Sequence, residues 1–298
     1  SLLDAVPTVK ELITAAKEDG QKAIALTDHG VMFGCYEFYL EAINEGIKPI
    51  IGMEAYMANG SRFDKTAGKN RNDKSKPKKK NYFHLLLLAK NMTGYKNLMK
   101  LTTYAHTEGF YYKPRIDKEL LERYSEGLVC SSACITGVLN AHIVNGDYDR
   151  AMEEAKYYKD LFGDDFYVEI QNHGLKEDEA ILEQAPRIAK ELDIKLVATN
   201  DIHYIEQDHA VAHNVLLNIR DATSANAGQV DVRDLRYRTP QMFYKSAQEM
   251  HDLFRDFPEA IESTLEIADK CNVEFKKERF MPKFNIPQGS KSETLAEY

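Results

Sequence analysis

Short apolar runs alternate along the chain with longer stretches in which apolar residues recur every three to four positions. Six runs are strand-like: 22–27 (KAIALT), 48–56 (KPIIGMEAY), 82–89 (YFHLLLLA), 127–132 (GLVCSS), 165–171 (DFYVEIQ) and 194–199 (IKLVAT). The stretches between and after them predict helices over about 8–17, 33–44, 94–104, 136–144, 148–162, 177–192, 208–219, 247–254 and 259–272. The first has an explicit start, because Thr8 and Glu11 form a capping box in which hydroxyl and carboxylate each satisfy an otherwise unpaired backbone N–H. Alternation of this kind is the pattern of βα units around a parallel sheet or barrel. After Ile205 the strand signal fades, and 220–239 reads as a long connection before a helical hairpin. The barrel with its appended helices is expected to occupy 1–280, and Pro282 and Pro287 mark an extended tail over 281–298 that begins a linker.

Composition narrows the class. With 298 residues, 43% of them hydrophobic, the chain can bury a sizeable core. No apolar run approaches the roughly 20 residues that span a bilayer, and no charged-then-apolar signal precedes Thr8, so a cytoplasmic setting without a membrane partner is expected. Cys35, Cys130, Cys134 and Cys271 form no CxxC pair and read as reduced, mostly core thiols. The formal net charge of −8 is unevenly spread. Segment 58–81 carries nine basic residues against Asp64 and Asp73, a net +7 that leaves −15 on the remainder. With little to bury, it is expected to be a mobile, solvated loop dispensable for stability, with a phosphate-contacting arm as the second reading.

In parallel α/β sheets, function gathers where strands end, so each strand exit is a place to look for ligands. The first run leads into Thr27-Asp28-His29-Gly30, the second ends in Gly52-Met53-Glu54, the fourth leads into Ser132-Ala133-Cys134 and the sixth into Asn200-Asp201-Ile202-His203. Asp-x-His on extended backbone points both side chains to one face. Imidazole and carboxylate with an occasional thiolate suit Zn²⁺, Mn²⁺ or Fe, ions that activate water or clamp phosphoryl oxygens. Singly each residue is as well explained by the core or a cap, and Cys134 also reads as a buried thiol among small residues. Their recurrence at successive exits points to a hydrolytic metal cluster.

Ser1-Asp4 together with LTDHG (26–30), GMEAY (52–56), FHLLLLAKN and GYKNLMKL (within 83–101), KPRID (113–117), EIQNHG (169–174) and ATNDIHY (198–204) resembles the polymerase-and-histidinol-phosphatase (PHP) domain of bacterial DNA polymerase III alpha subunits. The likeness continues through FYKS (243–246), LEIA (265–268) and MPKF (281–284). It implies a distorted seven-stranded β/α barrel whose first strand, with a His-x-His pair, precedes Ser1, so the chain reads as a piece of a longer protein. By motif position it implies Asp4, His29, Glu54, His84, Cys134, Asp201 and His203 as metal ligands, with Asp28 orienting its neighbour. His84 is nominated by the resemblance alone, since it lies early in its run. Lys113 and Arg115 are candidates to hold a phosphate, and His173 lines the rim or caps a turn.

What the resemblance implies about activity divides in two. In one reading the domain binds up to three divalent ions, Zn or Mn in preference to Mg or Fe, and hydrolyses phosphoesters, with 3′–5′ exonuclease proofreading as the specific form. In the other it is a catalytically silent scaffold that stabilises the polymerase and docks a separate proofreading exonuclease subunit. In both it serves DNA replication within a DNA-directed DNA polymerase, a nucleotidyltransferase whose polymerase centre lies elsewhere in the alpha chain. The expected partners are DNA and the rest of that chain.

Overall fold

The computed structural model describes residues 1–66, 81–221, 234–276 and Gln288. In chain order the elements are α1 (Val9–Glu18), β1 (Ala23–Leu26), α2 (Cys35–Glu45), β2 (Lys48–Ala58), β3 (Tyr82–Ala89), α3 (Met92–Thr107), β4 (Arg115–Ile116), α4 (Lys118–Tyr124), β5 (Leu128–Ser131), α5 (Asn140–Val144), α6 (Tyr148–Phe162), β6 (Phe166–Ile170), α7 (Lys176–Glu191), β7 (Lys195–Ala198), α8 (Ala210–Asp221), α9 (Ala247–Leu253) and α10 (Pro258–Lys270). Each apolar run forms a strand, and the Thr8–Glu11 capping box opens α1. Two elements come without a run or periodic stretch to announce them, β4 and α4. Tail 281–298, apart from Gln288, and the basic stretch 67–80 lie outside the described residues, as do 222–233 and 277–280.

The strands make one curled, half-barrel sheet in the order β1-β2-β3-β5-β6-β7, with β4 on β2. Most pairs are parallel, but β3 is antiparallel to both β2 and β5. The βα reading did not anticipate this reversal, and it matters for the site. Predicted helix 136–144 shrinks to α5, because Thr136 and Val138 instead pair with His84 through backbone bonds of 3.1 and 3.0 Å.

Side-chain alternation divides the sheet cleanly. One face carries Ile51, Met53 and Ala55 of β2, Leu85 and Leu87 of β3, Cys130 of β5, Phe166, Val168 and Ile170 of β6, and Leu196 of β7. Against it pack the apolar stripes of the helices, including Ile13, Phe38, Leu98, Leu120 and Ile188. Burial of each such side chain contributes about 1.5–3 kcal/mol, which makes this layer the main source of stability. The opposite face carries Ile50, Leu88, Val129, Tyr167 and Val197, closed over by Ile267 and Cys271 at the end of α10. Alternation then places Glu54, His84, Ser131, Glu169 and Thr199 on this same face, further along the strands. The inner face is therefore apolar at one end and polar at the other.

Candidate metal centre

Each part of the cluster is delivered by a short backbone device. Gly30, just after β1, adopts a left-handed φ of 65°, and its N–H donates to the Glu54 carbonyl at 2.9 Å, tying His29 to β2. A side chain at Gly30 would meet Pro114 and Tyr56 at about 3 Å. His84 enters because β3 runs antiparallel: its start lies at the same sheet end as the exits of the parallel strands, paired with Tyr56. Beyond β5, Ala133 at φ 60° and a close turn at Gly137 bring Cys134 back beside His84. Asn140 secures that turn, donating its Nδ2 to the carbonyls of Ala133 and Glu169. Asp201 is likewise left-handed, at φ 51°. Such strain in non-glycine residues costs of order 1–3 kcal/mol and persists where surrounding contacts over-determine it.

The seven nominated side chains form one connected cluster. Asp4 Oδ2 lies 3.1 Å from His29 Nε2 and 3.6 Å from His203 Nε2. Glu54 bridges two imidazoles, with Oε2 3.4 Å from His29 Nδ1 and Oε1 2.7 Å from His84 Nδ1. Cys134 Sγ is 3.4 Å from His84 Nδ1, and Asp201 Oδ1 is 3.7 Å from His203 Nδ1. Two donor groups have all their ligand atoms within 4.8 Å: Asp4, His29 and His203, and His29, Glu54 and His84. His29 belongs to both.

These donors fit divalent cations. Buried His29 Nδ1 has no hydrogen-bond partner, an unusual state for a buried ring nitrogen in a polar cluster. His203 contacts the Asp201 carbonyl through Nδ1 at 2.8 Å, and a proton kept there would free Nε2, on the side of Asp4, to ligate a cation once its own proton is displaced. The electrostatics show what holds the cluster without an ion. Burial opposes the Asp4 charge, yet hydrogen bonds from His203 and His29 keep its carboxyl far below the ordinary range. Glu54, opposed in the same way, is held at about 2 by His29 and His84. Burial works against a charged His203, but Asp201 and Asp4 outweigh it and lift it to about 9. Burial, with Glu54 and Asp201, pushes the Cys134 thiol well up. Protons thus balance the carboxylates here, and a cation would replace them.

The other nominated residues take framework positions. Asp28 touches the cluster through its carbonyl, which accepts from Glu54 N at 3.0 Å. His173 is buried: its Nε2 contacts the Asn200 carbonyl at 2.8 Å and its N–H donates to Asp178. Arg115 is turned away from any phosphate, 1% exposed, with its guanidinium donating to the carbonyls of Gly109, Arg62 and Asp64. The reason is that carbonyls after α3 and after β2 take up the guanidinium's donors. Lys113 remains at the opening, its Nζ 5.2 Å from the centre of the Tyr56 ring that stacks on His29.

Two neighbours of the cluster carry no sequence-based nomination. Arg220, at the end of α8, ion-pairs with Asp4 Oδ1, the oxygen turned away from the histidines. A lone arginine ending a helix reads from sequence as a partner for the helix dipole, so nothing flagged it. Glu169 does have a signal, a carboxylate inside the apolar run FYVEI. It lies beneath the cluster and accepts from Ser131, from Thr199 at 2.5 Å and from Gln171 at 3.0 Å, joining β5, β6 and β7.

Burial, reinforced by the Glu54 and Asp201 charges, lifts Glu169 to about 7 against the pull of its hydroxyl partners. Below the ordinary carboxyl value folded and unfolded chains both hold this proton. Between roughly pH 4.5 and 7 only the folded chain does, so this group's contribution to stability falls as pH rises, by up to about 1.4 kcal/mol per pH unit. Glu169→Gln should flatten that decline. Melting curves of the metal-free protein from pH 5 to 8 test this, and parallel curves for the two proteins would refute it.

Comparison with known proteins places the chain. The PHP domain family model matches residues 1–173. DNA polymerase III subunit alpha of Borreliella burgdorferi is 43% identical over 301 residues, covering 100% of this chain and 25% of the relative. The protein of the same name from Campylobacter jejuni is 43% identical over 284 residues, 92% of this chain and 22% of the relative. That from Aquifex aeolicus is 41% identical over 311 residues, 100% of this chain and 26% of the relative. The chain spans about a quarter of the length of these curated relatives. On its sequence match, carried by a curled α/β sheet with a polar cluster at one end of its inner face, the chain belongs to the PHP domain family.

Proposed function

We propose that this chain is the PHP domain of a bacterial DNA polymerase III alpha subunit, acting in the cytoplasm, and that its cluster binds divalent cations and hydrolyses phosphoester bonds at a DNA 3′ end. The observation that carries the reading is the sharing of His29 between two donor groups, which gives neighbouring positions for two ions. Asp4, His29 and His203 would hold one, and His29, Glu54 and His84 the other, with Cys134 beside the second. Zn²⁺ or Mn²⁺ suits this mixture of imidazole, carboxylate and thiol, with Mg²⁺ or Fe the less suited alternatives. Ions bound there would lower the pKa of coordinated water and neutralise developing charge on phosphoryl oxygens.

The chain's own part is positional. The carboxylates of Asp4 and Glu54 set the imidazoles facing one another. Hydrogen bonds from Ser131, Thr199 and Gln171 to Glu169 hold the strand ends that carry Cys134 and Asp201. The apolar plug of Tyr167, Val197 and Ile267 closes the opposite end of the sheet, so substrate approaches from the polar end. Among the described residues, no helix is long and apolar enough to cross a membrane.

Metal analysis of the full chain after equilibration with Zn²⁺ or Mn²⁺, paired with release of nucleotides from a 3′-labelled single strand, tests the proposal. Bound metal with 3′ nucleotide release that chelator abolishes is expected. Bound metal without release would favour the scaffold reading, in which the domain supports the polymerase and docks a separate exonuclease subunit. A protein that binds no metal would overturn the cluster reading altogether.

A further inference from the structure

We propose that Arg220, Arg236 and Lys113 form a phosphate anchor at the opening of the cluster, and that the Asp221 carboxylate occupies the place of a substrate phosphate. The inference rests on the phosphoesterase reading and adds the residues that would seize the substrate.

Two guanidinium groups converge on Asp221. Arg220 Nε lies 2.9 Å from its Oδ1 and Arg236 Nη2 2.7 Å from its Oδ2. Arg220 is also the link to the donor groups, because its Nη1 holds Asp4 Oδ1 while Asp4 Oδ2 faces His29 and His203. An anion on this guanidinium therefore sits one carboxylate away from the donor atoms. Lys113 adds a third positive charge on the same side. Asp221 is kept below the ordinary carboxylate range first by Arg220 and then by Arg236 and Lys113. The side chains are reachable rather than sealed, with 31% of Arg220, 45% of Arg236 and 34% of Asp221 exposed.

The charge balance favours an incoming anion. Three cations face two carboxylates, Asp221 and the Asp4 oxygen held by Arg220, which leaves one positive charge over, whereas a phosphate in the place of Asp221 brings up to two charges and three oxygens suited to guanidinium forks. Asp221 ends α8 and can yield its place without breaking a strand or a helix interior. Asp4, by contrast, is buried in the cluster and keeps its hold on Arg220.

The test uses the Zn²⁺-loaded full chain, with inorganic phosphate, deoxyadenosine monophosphate and a short single-stranded oligonucleotide as probes in calorimetric titrations. Asp221→Asn removes the competing charge and should tighten phosphate binding, while Arg236→Gln should weaken it, each by about tenfold, as expected for one charge-assisted contact. Neither substitution touches a donor residue, so metal content should equal the wild-type value in both. Arg220→Gln should weaken binding at least as much, and if it also sheds metal through Asp4, the other two variants still decide the matter. Tighter binding of the monophosphates alone assigns the anchor to terminal phosphates, and tighter binding of the oligonucleotide as well extends it to phosphodiesters. Unchanged or weaker binding by Asp221→Asn, or unchanged binding by Arg236→Gln, overturns the proposal. Phosphate affinity that moves as expected in a protein without hydrolytic activity would sink the phosphoesterase reading and leave the anchor standing.

Discussion

His29→Ala should empty both metal positions at once, whereas His84→Ala and His203→Ala should each empty one. The asymmetry follows from topology. His29 follows β1 and presents Nε2 to Asp4 and Nδ1 to Glu54, so it is the only imidazole with a nitrogen in each donor group among the described residues. Loss of an outer partner of a metal ligand typically costs about 10–100-fold in affinity, and loss of a ligand shared by two ions should exceed that at both. The effect extends to stability. An ion that binds only the folded chain stabilises it by about 4 kcal/mol at a thousand times its Kd. Zn²⁺ should therefore raise the melting temperature of the wild-type protein markedly, that of His84→Ala less, and that of His29→Ala hardly at all. Metal content after dialysis, read beside the melting shift, checks the ranking. Wild-type stoichiometry in His29→Ala would show that the two donor groups do not share a ligand.

The same topology explains what could be read in advance. His29, Glu54, Cys134, Asp201 and His203 all follow or end strand-like runs, and the strand-exit argument selected them for the place where the structure gathers them. It could not select His84, because it assumed that every strand runs the same way. A sequence of apolar residues carries no direction, and only pairing with β2 and β5 reveals that β3 is reversed. Asp4 lies outside any periodic element. It reaches the cluster because Val6 N–H donates to the His203 carbonyl at 2.9 Å, a contact between residues 197 positions apart that no local pattern encodes.

Arg115 and Arg62 show the converse failure. Composition placed Arg62 in a solvated basic loop and Arg115 was a candidate to hold a phosphate, yet Arg115 and Arg62 are 1% and 4% exposed. Charge statistics describe the average arginine, and a guanidinium with five donors can be buried wherever carbonyls and carboxylates meet it. Here the receiving groups come from three segments distant in sequence: Gly109 beyond α3, Asp117 at the start of α4, and the stretch after β2. The basic segment is thus two things. Its first residues are part of the folded body, and its most basic portion lies beyond the described residues.

Asp117→Ala should accordingly destabilise the protein by about 3–5 kcal/mol, the usual cost of breaking a buried ion pair from one side. Asp117 is buried, and its carboxylate does three jobs. It receives Arg62 Nη1 at 3.0 and 3.1 Å, Arg62 N at 2.9 Å, and Leu120 N at 3.2 Å as the N-cap of α4. The cap alone is worth about 1 kcal/mol. Arg62 would keep Glu108 at 2.8 Å and Glu119 at 3.1 Å, both more exposed, which places the expected loss toward the lower end of the range. Asp117→Asn retains the shape and most of the cap while removing the charge, so it should cost less than alanine. The damage should reach the metal centre only through unfolding, because β4 ties this network to Tyr56 and Met57 of β2 without touching a donor atom. Urea melts of the metal-free variants measure the loss, and metal content well below the transition should match the wild-type value. The same reasoning reverses the expectation for removing 58–81: that deletion takes Arg62 with it, strands the buried Asp117 carboxylate and frees Arg115 from two of its carbonyls, so it should cost at least as much as Asp117→Ala. A deletion as stable as the intact chain, or an Asp117→Ala protein within about 1 kcal/mol of wild type, would show that this buried network contributes little beyond the apolar layer around it.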